Sequence, residues 1–348
     1  ELDALGIAAG RAEPGGVEFT ADLEALIAAN LQLRTASRVL VRLGSFRART
    51  FPELERHAGR LPWREYLAEG AAVAFAITSR KSKLYHQGAI AERLLRIAGG
   101  GSARPAADDG AAQLFVVRVV RDEFTISADS SGALLHRRGY RLATGKAPLR
   151  ENLAAAMLLA LGWDGSVPLI DPFCGSGTIP IEAALIARRI PPGHARSFAL
   201  ERWPGVGPEA VERVRAAAQA GVLPHAAVPV FGFDRDAGAI QAAADNARRA
   251  GIADEITFRR QALSALDTPA AAGLLLTNPP YGVRVGDRRP LRDLYAQLGN
   301  ICRERLPGWE VGLLSAHAEL IAHTRLSVRT VFDTSNGGLP VRLVAGTA

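Results

Sequence analysis

The sequence predicts an α/β fold with a parallel sheet in its second half, and three stretches carry that prediction. Leu169-Ile170 runs into Asp171-Pro172-Phe173-Cys174-Gly175-Ser176-Gly177-Thr178 and then a helix from about Ile179 to Arg189: a strand, a tight glycine turn and a helix N-terminus. Val230-Phe231-Gly232-Phe233 is a second apolar run, and it ends in a carboxylate, Asp234. The third run, Leu274-Leu275-Leu276-Thr277, stops abruptly at Asn278-Pro279-Pro280-Tyr281, as a buried parallel strand does when it delivers a polar loop at the carboxyl edge of its sheet.

Composition bounds what such a chain can be. With 348 residues it has room for two domains, and 48% hydrophobic against 22% charged residues demands packed cores throughout. The formal charge of +7 comes mainly from arginine and favours phosphate-bearing partners. Cys174 and Cys302 form neither a C-x-x-C pair nor a disulfide framework, so a reducing compartment without structural metal is expected, with the cytoplasm as the default. No apolar run approaches the ~18 residues of a membrane span, and the first residues carry no signal-peptide pattern. The single methionine is Met157, so the chain is expected to begin partway into its first element.

From the N-terminus, short pieces alternate: a strand at Gly16 to Phe19, a helix from Asp22 to Asn30 and a strand from Ser37 to Phe46. A further strand, Ala72 to Ile77, leads into Thr78-Ser79-Arg80-Lys81-Ser82-Lys83-Leu84-Tyr85-His86, a loop whose cations and tyrosine suit phosphate contact. A helix at Gly88 to Ile97 and strands at Leu114 to Val120 and Glu123 to Asp129 follow, separated by the Gly/Ala/Asp-rich break from Gly99 to Gly110. The stretch Leu134 to Arg141 carries Arg137, Arg138 and Arg141 and reads as a basic, aromatic linker. After it, Leu149, Leu153 and Met157 set the apolar stripe of a helix over Pro148 to Leu161. A Pro/Gly/Trp-rich insert from Ile190 to about Val228 delays the strand that ends in Asp234, and Asp236 is expected to cap the helix Ala237 to Ala250.

The glycine turn narrows the cofactor. A phosphate loop requires Gly-Lys-Ser/Thr, and no lysine is present; a dinucleotide turn requires a third glycine where Pro180 stands. Asp234 stands where a strand-end acid accepts hydrogen bonds from both ribose hydroxyls of an adenosine. At the other motif, two consecutive prolines remove two N–H donors and fix two backbone angles, which makes a poor turn but a good array of acceptors. The Asn278 amide oxygen, the Pro279 carbonyl and the flat face of Tyr281 suit a planar group bearing an exocyclic NH2, such as a nucleobase.

Together, Asp171 to Thr178 and Asn278 to Tyr281 resemble the paired signature of S-adenosyl-L-methionine-dependent methyltransferases that act on exocyclic amines. Leu33-Arg34-Thr35-Ala36-Ser37-Arg38-Val39, Leu134 to Arg141 and Ala147 to Ala156 are similar to the THUMP-domain RNA methyltransferases, in particular the branch that methylates guanine N2 in 23S ribosomal RNA. The resemblance implies a ferredoxin-like lobe at 1–58, a THUMP RNA-binding domain at 59–130, a basic linker at 131–147 and a Rossmann-like class I methyltransferase domain at 148–348. That last domain should close with an antiparallel hairpin, which Leu326 to Asp333, Ser335-Asn336-Gly337-Gly338 and Val341 to Ala345 fit. Its implied cofactor residues are Pro148, Asp171, Phe173, Cys174, Gly175, Ser176, Gly177, Thr178, Asp234, Arg235 and Asn278. Asn278, Pro279, Pro280 and Tyr281 are the implied catalytic loop, and Arg80, Lys81, Lys83, Arg137, Arg138 and Arg141 the implied RNA contacts. The expected partner is 23S rRNA or else tRNA, bound by a monomer without metal or membrane.

Alternatives to this reading are a tRNA guanine-N2 enzyme, an N6-adenine DNA methyltransferase and a non-catalytic RNA-binding protein. Asn-Pro-Pro-Tyr cannot choose between guanine N2 and adenine N6, and family members carry adenine-specific DNA methylase labels because of it. Two departures from the family pattern stand out. Ala262 occupies the place where an Asp usually accepts from the cofactor's adenine amine, and the chain is expected to lack the second methyltransferase domain fused on in some members.

Overall fold

In a computed structural model, residues 1–348 are described except 14, 100–101, 104–111, 142–148, 268–269 and 282–287. The chain divides into two compact units, Glu1–Leu135 with Pro192–Ala220, and His136–Pro191 with Gly221–Ala348. The insert expected inside the methyltransferase domain therefore belongs to the first unit, for reasons of packing given below.

Unit 1 opens with the hairpin β1 (Ala9–Glu13) and β2 (Gly16–Phe19) and the helix α1 (Leu23–Gln32), whose first turn Asp22 caps by accepting from the Ala25 amide. Then come β3 (Leu40–Arg47), α2 (Phe51–Ala58), α3 (Trp63–Tyr66), β4 (Ala72–Arg80), α4 (Gln87–Ala98), β5 (Ser102–Ala103), β6 (Gln113–Val120) and β7 (Glu123–Asp129). The five strands from β3 onward form one mixed sheet in the order β3-β7-β6-β4-β5. Its apolar face buries Phe115, Val117, Phe124 and Ile126 against Leu54, Trp63, Ile90 and Leu94.

The insert completes this core. Phe198, Leu200, Trp203 and Val211 are buried in it, Val211 from helix α7 (Pro208–Ala220). Trp203 donates its indole N–H to the Gln113 amide oxygen at 2.8 Å and meets Tyr66 edge-on. Backbone bonds fasten the rest, with Gly193 N–H to Leu31 carbonyl at 2.9 Å and Leu200 N–H to Ser130 carbonyl at 3.0 Å. Any side chain at 193 would stand 2.9 Å from the Leu31 oxygen, so glycine is required there.

Unit 2 begins with α5 (Glu151–Ala160), β8 (Leu169–Asp171) and α6 (Thr178–Ala187). It resumes with β9 (Val230–Asp234), α8 (Ala237–Arg249), β10 (Ile256–Arg260), β11 (Leu274–Thr277), α9 (Arg288–Arg305), β12 (Glu310–Ser315), α10 (Ala318–His323), β13 (Val328–Asn336) and β14 (Leu339–Thr347). The sheet order is β10-β9-β8-β11-β12-β14-β13; all pairings are parallel except those of β14, which runs antiparallel to both β12 and β13. The expected C-terminal hairpin is thus β13–β14. Because the chain steps outward from β8 in one direction and returns to β11 on its other side, the strand order reverses between β8 and β11. In open α/β sheets that reversal opens a crevice at the carboxyl ends of the two strands, and this is where ligands sit.

Candidate active site at the carboxyl edge of the sheet

Asp171 closes β8 with its side chain almost wholly out of solvent. Its Oδ1 accepts from the Thr277 hydroxyl at 2.6 Å and from the Phe173 amide at 3.1 Å. Burial pushes this carboxyl up to about 7, against the two hydrogen bonds, and the nearby Asp234 carboxylate adds to the rise. Thr277 ends β11, so one bond laces the two strands together where the sheet reverses.

The glycine turn is folded by its own backbone, with Cys174 N–H to Phe233 carbonyl at 2.9 Å and Gly177 N–H to Cys174 carbonyl at 2.8 Å. Gly175 and Gly177 have φ of 52° and 82°, a region that costs L-residues strain. A Cβ on Gly177 would also lie 2.9 Å from Ala243 and from the Phe258 ring, so the turn can approach α8 and β10 only as glycine. Thr178 then begins α6. Asp234, at the end of β9, accepts from the Gly175 amide through Oδ2 at 3.0 Å and from the Asp236 amide through Oδ1 at 2.9 Å. Each carboxylate oxygen keeps a second acceptor site, which leaves Asp234 able to receive two more donors. Asp236 caps α8 as expected, accepting from Gly238 and Ala239. Arg235 is exposed beside it. Cys174 is buried and its thiol is pushed far above its ordinary range by burial, so it is a neutral packing group and not a nucleophile.

The second motif behaves differently. All four residues of β11 are buried, Pro279 is buried, Pro280 is exposed, and Asn278 and Tyr281 are half-buried, Tyr281 lying against the apolar core of unit 2. Asn278 Oδ1 is buried and has no hydrogen-bond partner among the described residues. Leaving such an acceptor unpaired costs about 1–3 kcal/mol, a cost that a ligand donor would relieve. Asn278 follows Thr277 directly, so this acceptor stands next to the Asp171–Thr277 lace. Pro148 lies outside the described residues. Ala262 is exposed, and its predecessor Gln261 is occupied in bonds to the Asp234 carbonyl and the Ala265 carbonyl.

The basic residues separate into two groups. In unit 1, Arg80, Lys81 and Lys83 are exposed at the end of β4. Asp122 organises their loop: its Oδ1 accepts from the Lys83 amide at 2.7 Å, its Oδ2 from Arg49 Nε at 3.0 Å, and its own amide donates to Ser82 Oγ at 3.0 Å. The Lys83 amide holds this carboxyl below its usual range, and Arg49 and Arg47 act in the same direction. Arg47 and Arg121, both exposed, line a depression beside it with Ser45, Phe46 and Glu123. Tyr85 is 64% exposed and packs on the His86 ring. In unit 2, Arg137 is exposed, but Arg138 and Arg141 correct the expectation placed on them. Their guanidiniums are turned inward, Arg138 Nε lying 3.5 Å from Glu182 and Arg141 Nε 3.5 Å from Glu151, with side chains only 2% and 8% exposed. A basic run in sequence is blind to acids that arrive from other helices.

Sequence reading also missed Thr277 and Asp122. Only Thr277 left a signal, as the one polar residue closing an apolar strand. Among the described residues no cluster of three or more candidate metal ligands occurs, and no helix is long and apolar enough to cross a membrane.

Comparison with known proteins places this geometry. Residues 138–344 match the family model described as RMKL-like, methyltransferase domain, and residues 1–40 match the RlmL ferredoxin-like domain. The chain is 37% identical over 367 aligned residues to the ribosomal RNA large subunit methyltransferase K/L of Syntrophotalea carbinolica, covering 99% of itself and 51% of that enzyme. It thus spans about half the length of that relative. Among solved structures, a predicted N6-adenine-specific DNA methylase from Listeria monocytogenes is 34% identical with a TM-score of 0.88, over 99% of this chain and 91% of that one. SMU.472, named as a methyltransferase and solved in complex with SAH, is 32% identical with a TM-score of 0.89, over 100% and 93%. With its reversed strand order, its glycine turn and its Asn-Pro-Pro-Tyr loop in the places described, the chain belongs to the RMKL-like methyltransferase family.

Proposed function

We propose that the protein uses S-adenosyl-L-methionine to methylate the exocyclic N2 amine of a guanine in structured RNA, with 23S rRNA as the substrate. The observation that carries this reading is the buried Asn278 Oδ1, unpartnered among the described residues, beside the sheet's reversal. The cofactor fits the residues present: Gly175 and Gly177 leave room at the turn, and Asp234 keeps acceptor capacity for two ribose hydroxyls. SMU.472, similar over the whole chain, was solved with SAH, the demethylated form of this cofactor. When bound, S-adenosylmethionine supplies an electrophilic methyl group on a sulfonium.

The chain's own residues then have one task, which is to make an amine attack. A ring-conjugated amine is a weak nucleophile because its lone pair is delocalised. Asn278 Oδ1 and the Pro279 carbonyl accept its two hydrogens, turn the nitrogen towards sp3 and aim the lone pair. Tyr281 stacks on the base once it has left its helix or loop. No strong base is needed, since the methylated ammonium is itself acidic and loses its proton readily. Arg80, Lys81, Lys83 and Arg137, joined by Arg47, Arg49 and Arg121, bind phosphates, and residues 59–130 act as the THUMP domain.

The choice of RNA over DNA rests on the basic rim of unit 1, on a sequence without a recognition-helix motif, and on the ribosomal RNA name of the K/L relative. The test is incubation with tritiated S-adenosylmethionine and, separately, unmodified 23S rRNA, tRNA and duplex DNA, followed by digestion to nucleosides. N2-methylguanosine from 23S rRNA is expected. Label recovered as N6-methyladenine from DNA would falsify the reading, and N2-methylguanosine from tRNA alone would keep the chemistry but move the substrate.

A further inference from the structure

We propose that Arg141 and Arg249 are positioning residues that hold the cofactor turn from behind, an inference that rests on the reading of that turn as the S-adenosylmethionine site. Two polar residues of the turn region, Ser176 and Thr178, are each tied to the dipeptide Tyr140–Arg141, by two separate routes. On the first, Asn246 Nδ2 donates to the Ser176 carbonyl at 2.9 Å, Arg249 Nη2 donates to Asn246 Oδ1, and Arg249 Nε donates to the Tyr140 carbonyl at 2.7 Å. On the second, Arg141 Nη2 donates to the Thr178 hydroxyl and to the Leu149 carbonyl, the latter at 2.9 Å. The dipeptide is itself anchored, because the Tyr140 hydroxyl donates to Glu182 Oε1 at 3.1 Å and Glu182 also faces Arg138.

Tyr140, Thr178, Glu182 and Asn246 are out of water, Arg141 is half-buried and Arg249 is exposed, so the bonds of the buried members are the ones costly to leave unmade. Two guanidiniums, Arg138 and Arg141, face two carboxylates, Glu182 and Glu151. A glycine turn gains close approach and gives up stiffness: Gly175 and Gly177 reach positive φ and lose the restraint that side chains provide. The two arginines return that restraint at the residues on either side of Gly177. Binding to an ordered turn loses less conformational entropy than binding to a loose one, so the expected readout is cofactor affinity.

The test is calorimetry of S-adenosylhomocysteine binding to the full chain as wild type, Arg141→Gln, Thr178→Val, the double variant and Arg249→Gln. Loss of one bond from the turn should raise Kd roughly tenfold. If Arg141 acts through Thr178, the double variant should match the weaker single and not the product of the two. For Arg141→Gln and Arg249→Gln the rate at saturating cofactor should stay within about twofold of wild type, whereas a merely structural role would lower it through loss of folded protein. Should Arg141→Gln fail to fold, Arg249→Gln carries the test alone, as it breaks the bonds to Asn246 and Tyr140 and leaves both ion pairs intact. Wild-type binding with unchanged Kd in Thr178→Val and Arg249→Gln overturns the proposal and spares the cofactor reading. Absence of binding by wild type overturns both.

Discussion

Asn278 and Asp171 sit one strand apart, and their chemistry predicts opposite kinds of defect. Asn278 Oδ1 has no partner among the described residues, and in the proposed reaction its hydrogen bond is made when an amine is delivered and strengthens as that amine pyramidalises. We predict that Asn278→Ala lowers the rate at saturating cofactor by on the order of a hundredfold while changing S-adenosylhomocysteine affinity less than about threefold, because an interaction made in the transition state is lost from kcat. Collapse of cofactor affinity with kcat preserved would reassign the residue to the cofactor. Asp171 instead makes its bonds already in the free protein and records its burial in its titration. Its carboxyl is raised from 3.8 to about 7, so the folded state holds the proton more tightly than the unfolded one. The stability this group contributes is therefore fully present below 3.8 and is lost as pH rises to about 7. Asparagine keeps the acceptor for Thr277 and Phe173 but cannot ionise. Hence the melting temperature of wild type should fall relative to Asp171→Asn across that window and run parallel to it above. Parallel curves throughout would mean that Asp171 is ionised at neutral pH despite its burial.

At the scale of elements, what could be read from the sequence was what local chemistry determines. The glycine turn, the strand ending in Asp234, the Asp236 cap and the β13–β14 hairpin are each specified by residues within a few positions of one another, and the structure has them there. The insert was not legible, because its place depends on partners far along the chain: Trp203 bonds to Gln113, 90 positions away. Arg138 and Arg141 failed for the same reason. A run of cations reads as a wet surface until Glu182 and Glu151, brought in by α6 and α5, are known to face it. The insert's role in the unit 1 core has a direct consequence. Trp203→Ala should cost about 3–5 kcal/mol, as large aromatic truncations in cores do. The loss should be confined to unit 1, so hydrogen exchange should accelerate at the amides of β6 and β7 while those of β8 and β11 keep their protection. Equal acceleration in both sheets would show that the insert does not belong to one core.

For the molecule as a whole, the formal charge of +7 sets two accounts of the proposed RNA binding against each other, charge in bulk and an arranged surface. Bulk charge predicts that affinity follows net charge, with a steep salt dependence and little regard for position. The unit 1 rim suggests arrangement instead, since one nearly buried carboxylate, Asp122, fixes the backbone of Lys83 and the guanidinium of Arg49. Two variants separate these accounts. Neutralising Lys81 and Lys83 to glutamine removes two cations, and under either account the slope of log affinity against log salt should shrink, by roughly 0.7–0.9 for each phosphate that is no longer neutralised. Asp122→Asn does the reverse to the charge, taking the net value from +7 to +8 by removal of one negative group. If bulk charge binds RNA, this variant must bind more tightly. We predict that it binds several-fold more weakly, because the asparagine amide keeps an acceptor for Lys83 but gives up the charge-assisted bond to Arg49, and the rim loses its fixed spacing. The measurement is RNA affinity over a salt series for wild type and Asp122→Asn, with circular dichroism confirming that the variant is folded. Tighter binding at every salt concentration would remove the rim and leave only the charge.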